Sequence, residues 1–186
     1  MILVTGGTGL VGSHLLFKLV SEGEKVRAIY RRAHKLELVK NVFGYFSDDA
    51  EVLFNTIEWI EADITDVPAL TLAFKGITTV YHCAALVSFE PDKYNILRKI
   101  NIEGTANVVN LCLRNKVKKL CYVSSVAALG SPKLNEDCID ETTLWNKDLD
   151  HSVYAITKYG AEIEVWRGVQ EGLNAVIVNP GIILGA

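Results

Sequence analysis

The sequence predicts an α/β protein, a Rossmann-type doubly wound parallel sheet with helices on both faces. Short apolar runs alternate with segments of helical periodicity along all 186 residues, and a glycine-rich turn follows the first run. No repeat, low-complexity segment or Pro-rich linker divides the chain, so one domain over residues 1–186 is expected. The predicted strands are residues 2–5, 25–30, 57–62, 79–83, 119–124 and 175–179.

The first unit is a strand, a glycine turn and a helix that continues to Gly23. Gly6 and Gly9 would let the backbone approach a pyrophosphate closely, and Gly12 would let the helix pack tightly on the strand. The free N–H groups of the first helical turn would face the phosphates. An ordinary strand-to-helix turn is the alternative, but the position within the first ~30 residues favours a dinucleotide site.

The second strand ends at the adenosine ribose in such a fold, and here its end reads Tyr30-Arg31-Arg32. A carboxylate at this place would bind the ribose 2′-hydroxyl and select NAD. Two guanidinium groups stand there instead, so Arg31 is expected to bind a 2′-phosphate, which favours NADP and leaves NAD possible. The alternative is that both arginine side chains are solvated.

Between the second strand and a helix near the C-terminus, the hydrophobic pattern predicts secondary structure less clearly. Residues 33–55 predict a helical excursion, and helices are expected between the remaining strands. Residues 154–170 then read as a helix that opens with Tyr154 and Lys158, which the i, i+4 spacing places on one face. A nearby cation would lower the pKa of Tyr154 and let it exchange protons near neutral pH, although an unremarkable surface pair is the alternative.

Composition excludes several other classes of protein. The formal charge of −3 gives no basic surface for nucleic acid, and no apolar run or leading signal segment points to a membrane or to secretion, so a cytoplasmic protein is expected. The cysteines and histidines show no ligand spacing, so no metal site is predicted, and buried free thiols are expected. These residues are Cys83, Cys112, Cys121, Cys138, His14, His34, His82 and His151.

Seven motifs, in order along nearly the whole chain, resemble the extended branch of the short-chain dehydrogenase/reductase superfamily. That branch contains nucleotide-sugar epimerases, dihydroflavonol reductases and 3β-hydroxysteroid dehydrogenases. The motifs are Thr5-Gly6-Gly7-Thr8-Gly9-Leu10-Val11-Gly12, Asp63-Ile64, His82-Cys83-Ala84-Ala85, Asn101 with Gly104-Thr105, Val123-Ser124-Ser125, Tyr154 with Lys158, and Asn179-Pro180-Gly181.

The resemblance implies a set of cofactor contacts. The Asp63 carboxylate would accept a hydrogen bond from the adenine amine, and Ile64 would pack beside the ring. Ala84 and Ala85 would let the cofactor lie against the backbone because their side chains are small. The other implied contacts are Thr8, Leu10, Val11, Tyr154, Lys158, Pro180 and Gly181.

The resemblance also implies the catalytic residues. In the family the active hydroxyl stands five residues before a glycine, so Gly130 indicates Ser125, and Ser124 would be a buried structural hydroxyl. Ser125 would hydrogen-bond the substrate oxygen while Tyr154 passes the proton. Asn101 would hold an active-site water or a backbone bend, with a helix-surface amide as its alternative.

The implied reaction is hydride transfer between nicotinamide and a secondary alcohol or ketone. Val126 and Ala127 stand where 4,6-dehydratases of this branch have an Asp-Glu pair, so dehydration is not expected. A dihydroflavonol reductase-like carbonyl reductase is favoured through Arg31, with a nucleotide-sugar epimerase or a non-catalytic NADP-binding sensor as alternatives.

Two further expectations concern parts beyond the cofactor site. The substrate-binding lobe that relatives have after the Pro-Gly segment is absent from this chain. The full-length form is expected to form a homodimer through helices, to which Val108, Leu111 and Cys112 could contribute unless they pack in the core. No nucleic-acid or membrane partner is expected beside a small-molecule carbonyl or sugar-nucleotide substrate.

Overall fold

A computed structural model describes residues 1–130 and 138–185 of the chain, and within them six strands form one parallel sheet. Its order is β3-β2-β1-β4-β5-β6, so the order reverses between β1 and β4. In such a sheet a ligand binds outside the carboxyl ends of the strands at this reversal. The strands are β1 (Ile2–Thr5), β2 (Val26–Tyr30), β3 (Glu58–Glu61), β4 (Thr79–His82), β5 (Lys119–Val123) and β6 (Ala175–Val178).

Helices connect the strands and cover the sheet. The α-helices are α1 (Leu10–Ser21), α2 (Leu36–Gly44), α3 (Ala50–Asn55), α4 (Val67–Ala73), α5 (Tyr94–Leu97), α6 (Gly104–Arg114) and α7 (Val153–Gln170). Short 3₁₀ turns lie at Ala33–Lys35, Pro91–Lys93 and Val126–Ala128. A π-helical stretch, Arg98–Glu103, joins α5 to α6.

The predicted fold class is confirmed. All six strands are present, the first with the predicted bounds and the others one residue shorter at one end or both. The predicted helical excursion between β2 and β3 is also present, as a 3₁₀ turn followed by α2 and α3. The π-helical stretch is the element that the sequence did not predict, because its hydrophobic pattern does not differ clearly from that of the flanking helices.

Alternate residues of the central strands enter two separate cores, as expected for a sheet that is covered on both faces. Val4 and Ala28 pack with α1, α2 and α3. Leu3, Val80 and Leu120 face the other side, where α4, α6 and α7 cover them. This second core also contains Val108, Leu111 and Cys112, so these three residues are core residues and are not available for a dimer interface. Homodimer formation stays a prediction.

The described helices include none that is long and apolar enough to cross a membrane. All four cysteines are free, but they differ in exposure. Cys112 is buried, Cys83 and Cys121 are half-buried, and Cys138 is exposed. The prediction of buried thiols is therefore wrong for Cys138, which is exposed in the irregular segment before α7.

Candidate active site and cofactor groove

The glycine turn between β1 and α1 brings two stretches of backbone into contact. Gly6 has φ of +70°, and a Cβ there would lie 2.6 Å from the backbone nitrogen of Ala84, which follows β4. A Cβ at Gly12 would overlap the Gly6 carbonyl oxygen. Both positions therefore require glycine.

The N-terminus of α1 is open toward the end of the sheet. Gly9 is the N-cap residue, and no side chain caps the helix there. Within the turn Gly9 N–H donates to Gly6 O at 3.0 Å, and Ser13 N–H donates to Gly9 O at 2.9 Å. The N–H groups of Leu10, Val11 and Gly12 come before the first helical bond, so they are the donors that a pyrophosphate would accept.

A groove with a cavity volume of 170 Å³ runs from this turn along the carboxyl ends of the strands. Seven of the predicted cofactor residues line it: Gly6, Thr8, Gly9, Arg31, Ile64, Ala84 and Ala85. The other lining residues are Ile29, Tyr30, Lys35, Ala62, Cys83 and Ile100. Pro180 and Gly181 follow β6 and are not among them, and the Pro180 carbonyl accepts a 3.0 Å hydrogen bond from Val126 N–H.

Arg31 and Asp63 contact each other at the far end of the groove. Arg31 Nη1 lies 3.4 Å from Asp63 Oδ2, and Asp63 Oδ1 accepts hydrogen bonds from Thr65 N and Oγ1 at 2.8 and 2.9 Å. Burial raises the pKa of Asp63, but the bonds from Thr65 and the charge of Arg31 outweigh it and hold that pKa below its ordinary value. Lys35 adds a second cation beside Arg31 in the groove wall.

Tyr154 and Ser125 also lie at the carboxyl ends of the strands, but toward β5 and not toward β2 and β3. Tyr154 is in the first turn of α7, and Ser125 is two residues after β5. The Ser152 hydroxyl caps α7 by accepting from Ala155 N–H at 3.1 Å, which fixes the helix start beside Tyr154. Ser125 Oγ accepts from Ala127 N–H at 3.1 Å. Burial raises the pKa of Tyr154, and hydrogen bonding with the Ser125 side chain opposes that rise.

Lys158 points into the protein interior. Its Nζ donates to Tyr122 Oη at 2.7 Å and to the Val123 carbonyl at 3.0 Å, and its residue exposure is 1%. Burial lowers the pKa of Lys158 to about 7, against the charge of Glu162, which raises it. In this structure the Lys158 ammonium is bonded to β5 and burial raises the pKa of Tyr154, so the lowering of that pKa by Lys158 and an oxidised nicotinamide stays a prediction.

His82 connects three elements beneath the glycine turn. Its Nδ1 and Nε2 lie 2.6 Å from Thr5 Oγ1 and 3.0 Å from Thr105 Oγ1. Burial, with the positive charge of Lys158 adding to it, lowers the pKa of His82 to about 3, so the ring is neutral. Thr5 Oγ1 also accepts from Ala84 N–H at 3.3 Å.

Asn101 is a buried residue of the π-helical stretch and not the surface amide considered from the sequence. Its Oδ1 accepts from Leu86 N–H at 2.8 Å, while Nδ2 donates to Leu86 O at 2.9 Å and to Thr157 Oγ1 at 3.1 Å. The carboxamide therefore holds the bend after β4 and connects it to α7. This placement fits the backbone-bend role.

Some site residues were missed in the sequence. Lys35 follows the arginine pair by three residues, and its charge was the available signal. Tyr122 lies in an apolar strand, where a tyrosine reads as core. Phe89 contacts Tyr154 edge to face, with ring centroids 5.6 Å apart, and only its position after β4 could have indicated it.

Comparisons with known proteins identify the family and the fold of the chain. The model of a family described as the NAD dependent epimerase/dehydratase family matches residues 2–186. Dihydroflavonol 4-reductase from Dianthus caryophyllus is 26% identical over 192 residues, which cover 99% of this chain and 52% of that protein. The chain spans about half the length of the curated relatives it matches.

Two solved structures share the fold. The crystal structure of gox2253 is 32% identical with a TM-score of 0.78, covering 97% of this chain and 51% of that one. A short-chain dehydrogenase/reductase superfamily protein from Agrobacterium tumefaciens with bound NAD is 24% identical with a TM-score of 0.76, covering 96% and 48%. At that identity the second comparison shows the fold alone.

Proposed function

The chain belongs to the NAD dependent epimerase/dehydratase family, and from this premise we propose that it is an NADP-dependent carbonyl reductase similar to dihydroflavonol 4-reductase. The observation that carries the proposal is the placement of Ser125 after β5 and of Tyr154 at the start of α7, at the carboxyl end of the sheet that also forms the dinucleotide groove. Acyl transfer would require a base beside Ser125, whereas the hydroxyl next to it is a phenol.

The side chains support proton transfer to a carbonyl oxygen. A bound nicotinamide cofactor supplies the hydride chemistry. The phenol of Tyr154 gives its proton to the substrate oxygen, and the Ser125 hydroxyl donates a hydrogen bond to that oxygen and stabilises its developing charge. In its protonated form Lys158 adds a buried positive charge to the site.

The proposed preference for NADP rests on the far end of the groove. Arg31 and Lys35 both line it, which gives a 2′-phosphate two cations. The ion pair between Arg31 and Asp63 is long, at 3.4 Å, and the Arg31 side chain is 56% exposed. Such a pair is weak, so the guanidinium is free to turn to a phosphate.

Reduction is favoured over the other reactions of the family by residues near Ser125. Val126 and Ala127 follow it, and neither can act as the acid or base of a water elimination. An epimerase keeps its cofactor through the reaction, whereas a 2′-phosphate subsite suits a cofactor that is exchanged as NADPH and NADP⁺. The second alternative, a sensor, would not need Tyr154.

The test is turnover by the full-length protein and by its Tyr154→Phe variant. We expect NADPH oxidation with aryl ketones and no turnover of UDP-sugars, and a loss of at least ~100-fold in kcat in the variant because general acid catalysis contributes this much. Binding of NADPH, followed by nicotinamide fluorescence, should be retained. UDP-sugar turnover without net NADPH consumption would support the epimerase, and unchanged kcat in the variant would reject the assigned role of Tyr154.

A further inference from the structure

Lys158 has a binding partner on β5 that the reaction proposed above does not require. Its Nζ donates to Tyr122 Oη at 2.7 Å and lies 4.4 Å from the centroid of the Tyr122 ring. Tyr122 is 1% exposed, so this phenol is a wholly interior group. A phenylalanine would fill nearly the same volume in the core, so packing alone does not account for the hydroxyl of Tyr122.

The phenol and a backbone carbonyl together fix the ammonium. An ammonium group has three N–H donors. Tyr122 Oη takes one and the Val123 carbonyl, at 3.0 Å, takes another. The third N–H group of the ammonium is left over, and the two hydrogen bonds to Tyr122 and Val123 set its direction.

The Tyr122 ring packs against a buried group of polar side chains. Thr105 Oγ1 on α6 lies 3.0 Å from His82 Nε2. The rings of Tyr122 and His82 pack with centroids 5.4 Å apart, and His82 Nδ1 reaches Thr5 Oγ1 at the start of the glycine turn. A buried polar row of Thr5, His82 and Thr105 therefore packs against Tyr122 through the His82 ring, and Tyr122 bonds to Lys158.

We propose that Tyr122 is the positioning residue of Lys158, holding its ammonium with the Val123 carbonyl so that the third N–H bond and the positive charge are available to the reaction. This inference rests on the proposed oxidoreductase function. Tyr122 touches no reacting atom in this scheme. It acts through Lys158, and the packing of its ring on His82 fixes the position of its hydroxyl.

The charge state of Lys158 depends on the groups that surround it. These are His82 on β4 and Cys83 directly after it, Tyr122 on β5, and Glu162 on its own helix. Glu162 is 8% exposed and accepts a 2.6 Å hydrogen bond from Asn179 Nδ2. Because the phenol oxygen accepts from the ammonium, it stabilises the charged form, and removing it lowers the pKa of Lys158 below its value of about 7.

The test compares Tyr122→Phe with Tyr81→Phe as a matched control. Tyr81 lies on the neighbouring strand and packs on the opposite face of the sheet, so its hydroxyl is remote from Lys158. The first readout is the ¹⁵N shift of the Lys158 ammonium during a pH titration without cofactor. We expect the midpoint to fall by about one unit in Tyr122→Phe, the shift that a lost charge-assisted hydrogen bond produces, and to stay in place in Tyr81→Phe.

The second readout is the pH profile of kcat in the full-length protein. The limb on which activity falls with rising pH should move to lower pH in Tyr122→Phe, with kcat at pH 7 reduced about tenfold. An unmoved Lys158 midpoint would overturn the inference, and it would do so even if Tyr154→Phe is inactive as proposed. If the Lys158 midpoint moves but Tyr154→Phe remains active, the proposed reaction is rejected and the positioning of Lys158 by Tyr122 is retained.

If Tyr122→Phe does not fold, 3-fluorotyrosine at position 122 keeps the shape and the hydrogen bond but weakens the oxygen as an acceptor. The Lys158 midpoint should then fall by a smaller amount in the same direction. A midpoint that stays in place with this residue would contradict the inference as well.

Discussion

The Arg31 guanidinium and the Asp63 carboxylate, which the sequence assigns to two different parts of a dinucleotide, lie 3.4 Å apart. A cofactor with a 2′-phosphate would compete with Asp63 for Arg31. The carboxylate keeps its hydrogen bonds from Thr65 on the other oxygen, so it stays in place when the arginine turns away. The proposed preference for NADP therefore depends on this pair.

Arg31→Ala should weaken NADPH binding by about tenfold to a hundredfold and leave NADH binding nearly unchanged, because a hydrogen bond to a charged group contributes roughly 1.5–3 kcal/mol. Lys35→Ala should have a smaller effect in the same direction. Arg32→Ala is the matched control, since Arg32 is exposed and is not a lining residue of the groove. Titrations followed by nicotinamide fluorescence measure all three. An equal loss for NADPH and NADH would contradict the 2′-phosphate assignment.

Gly12→Ala should abolish cofactor binding and lower the free energy of unfolding by about 1–3 kcal/mol or more, because the new Cβ meets the rigid Gly6 carbonyl. Gly44→Ala provides the comparison. A Cβ at Gly44 meets nothing within 4 Å, so stability should stay the same or rise by up to ~1 kcal/mol. Urea unfolding and NADPH titration measure both effects, and a Gly12→Ala protein that binds NADPH normally would show that the turn is adaptable.

Asn101→Ala should lower the free energy of unfolding by about 2–4 kcal/mol, because the Leu86 N–H and carbonyl lose their partners in a partly buried bend. Asn95→Ala, at an exposed position of α5, should change it by less than about 0.5 kcal/mol. Urea unfolding compares the two variants. Equal stabilities would mean that the bend after β4 is held without the carboxamide.

Acid should destabilise the protein in a window set by His82. Its pKa is lowered from 6.5 to about 3 on folding, so the unfolded chain binds the proton first. Stability is therefore full above pH 6.5 and is lost as pH falls from there toward 3. His82→Gln should reduce the slope of unfolding free energy against pH in this window, whereas His34→Gln, at an exposed position, should not. Parallel slopes for wild type and His82→Gln would contradict the assignment.

Much of the fold could be predicted because its signals are local. Apolar runs mark the strands, and the glycines at 6, 9 and 12 mark the turn, where only glycine fits at positions 6 and 12 because the backbones touch there. The orientation of Lys158 could not be predicted, because it depends on Tyr122, which is 36 residues away in sequence. The same holds for the ion pair of Arg31 and Asp63, because the sequence predicts the two residues as separate cofactor contacts and their pairing depends on the fold.

The contact between Gly6 and Ala84 has a consequence for the thermodynamics of binding. Backbone from the ends of β1 and β4 meets there, and Thr5 joins the two through its bonds to His82 and to Ala84 N–H. The floor of the groove is thereby rigid before any ligand binds. Its conformational entropy is already lost when the chain folds. Association with a dinucleotide should then carry little ordering penalty from the protein, and mobility should be lost chiefly by the ligand.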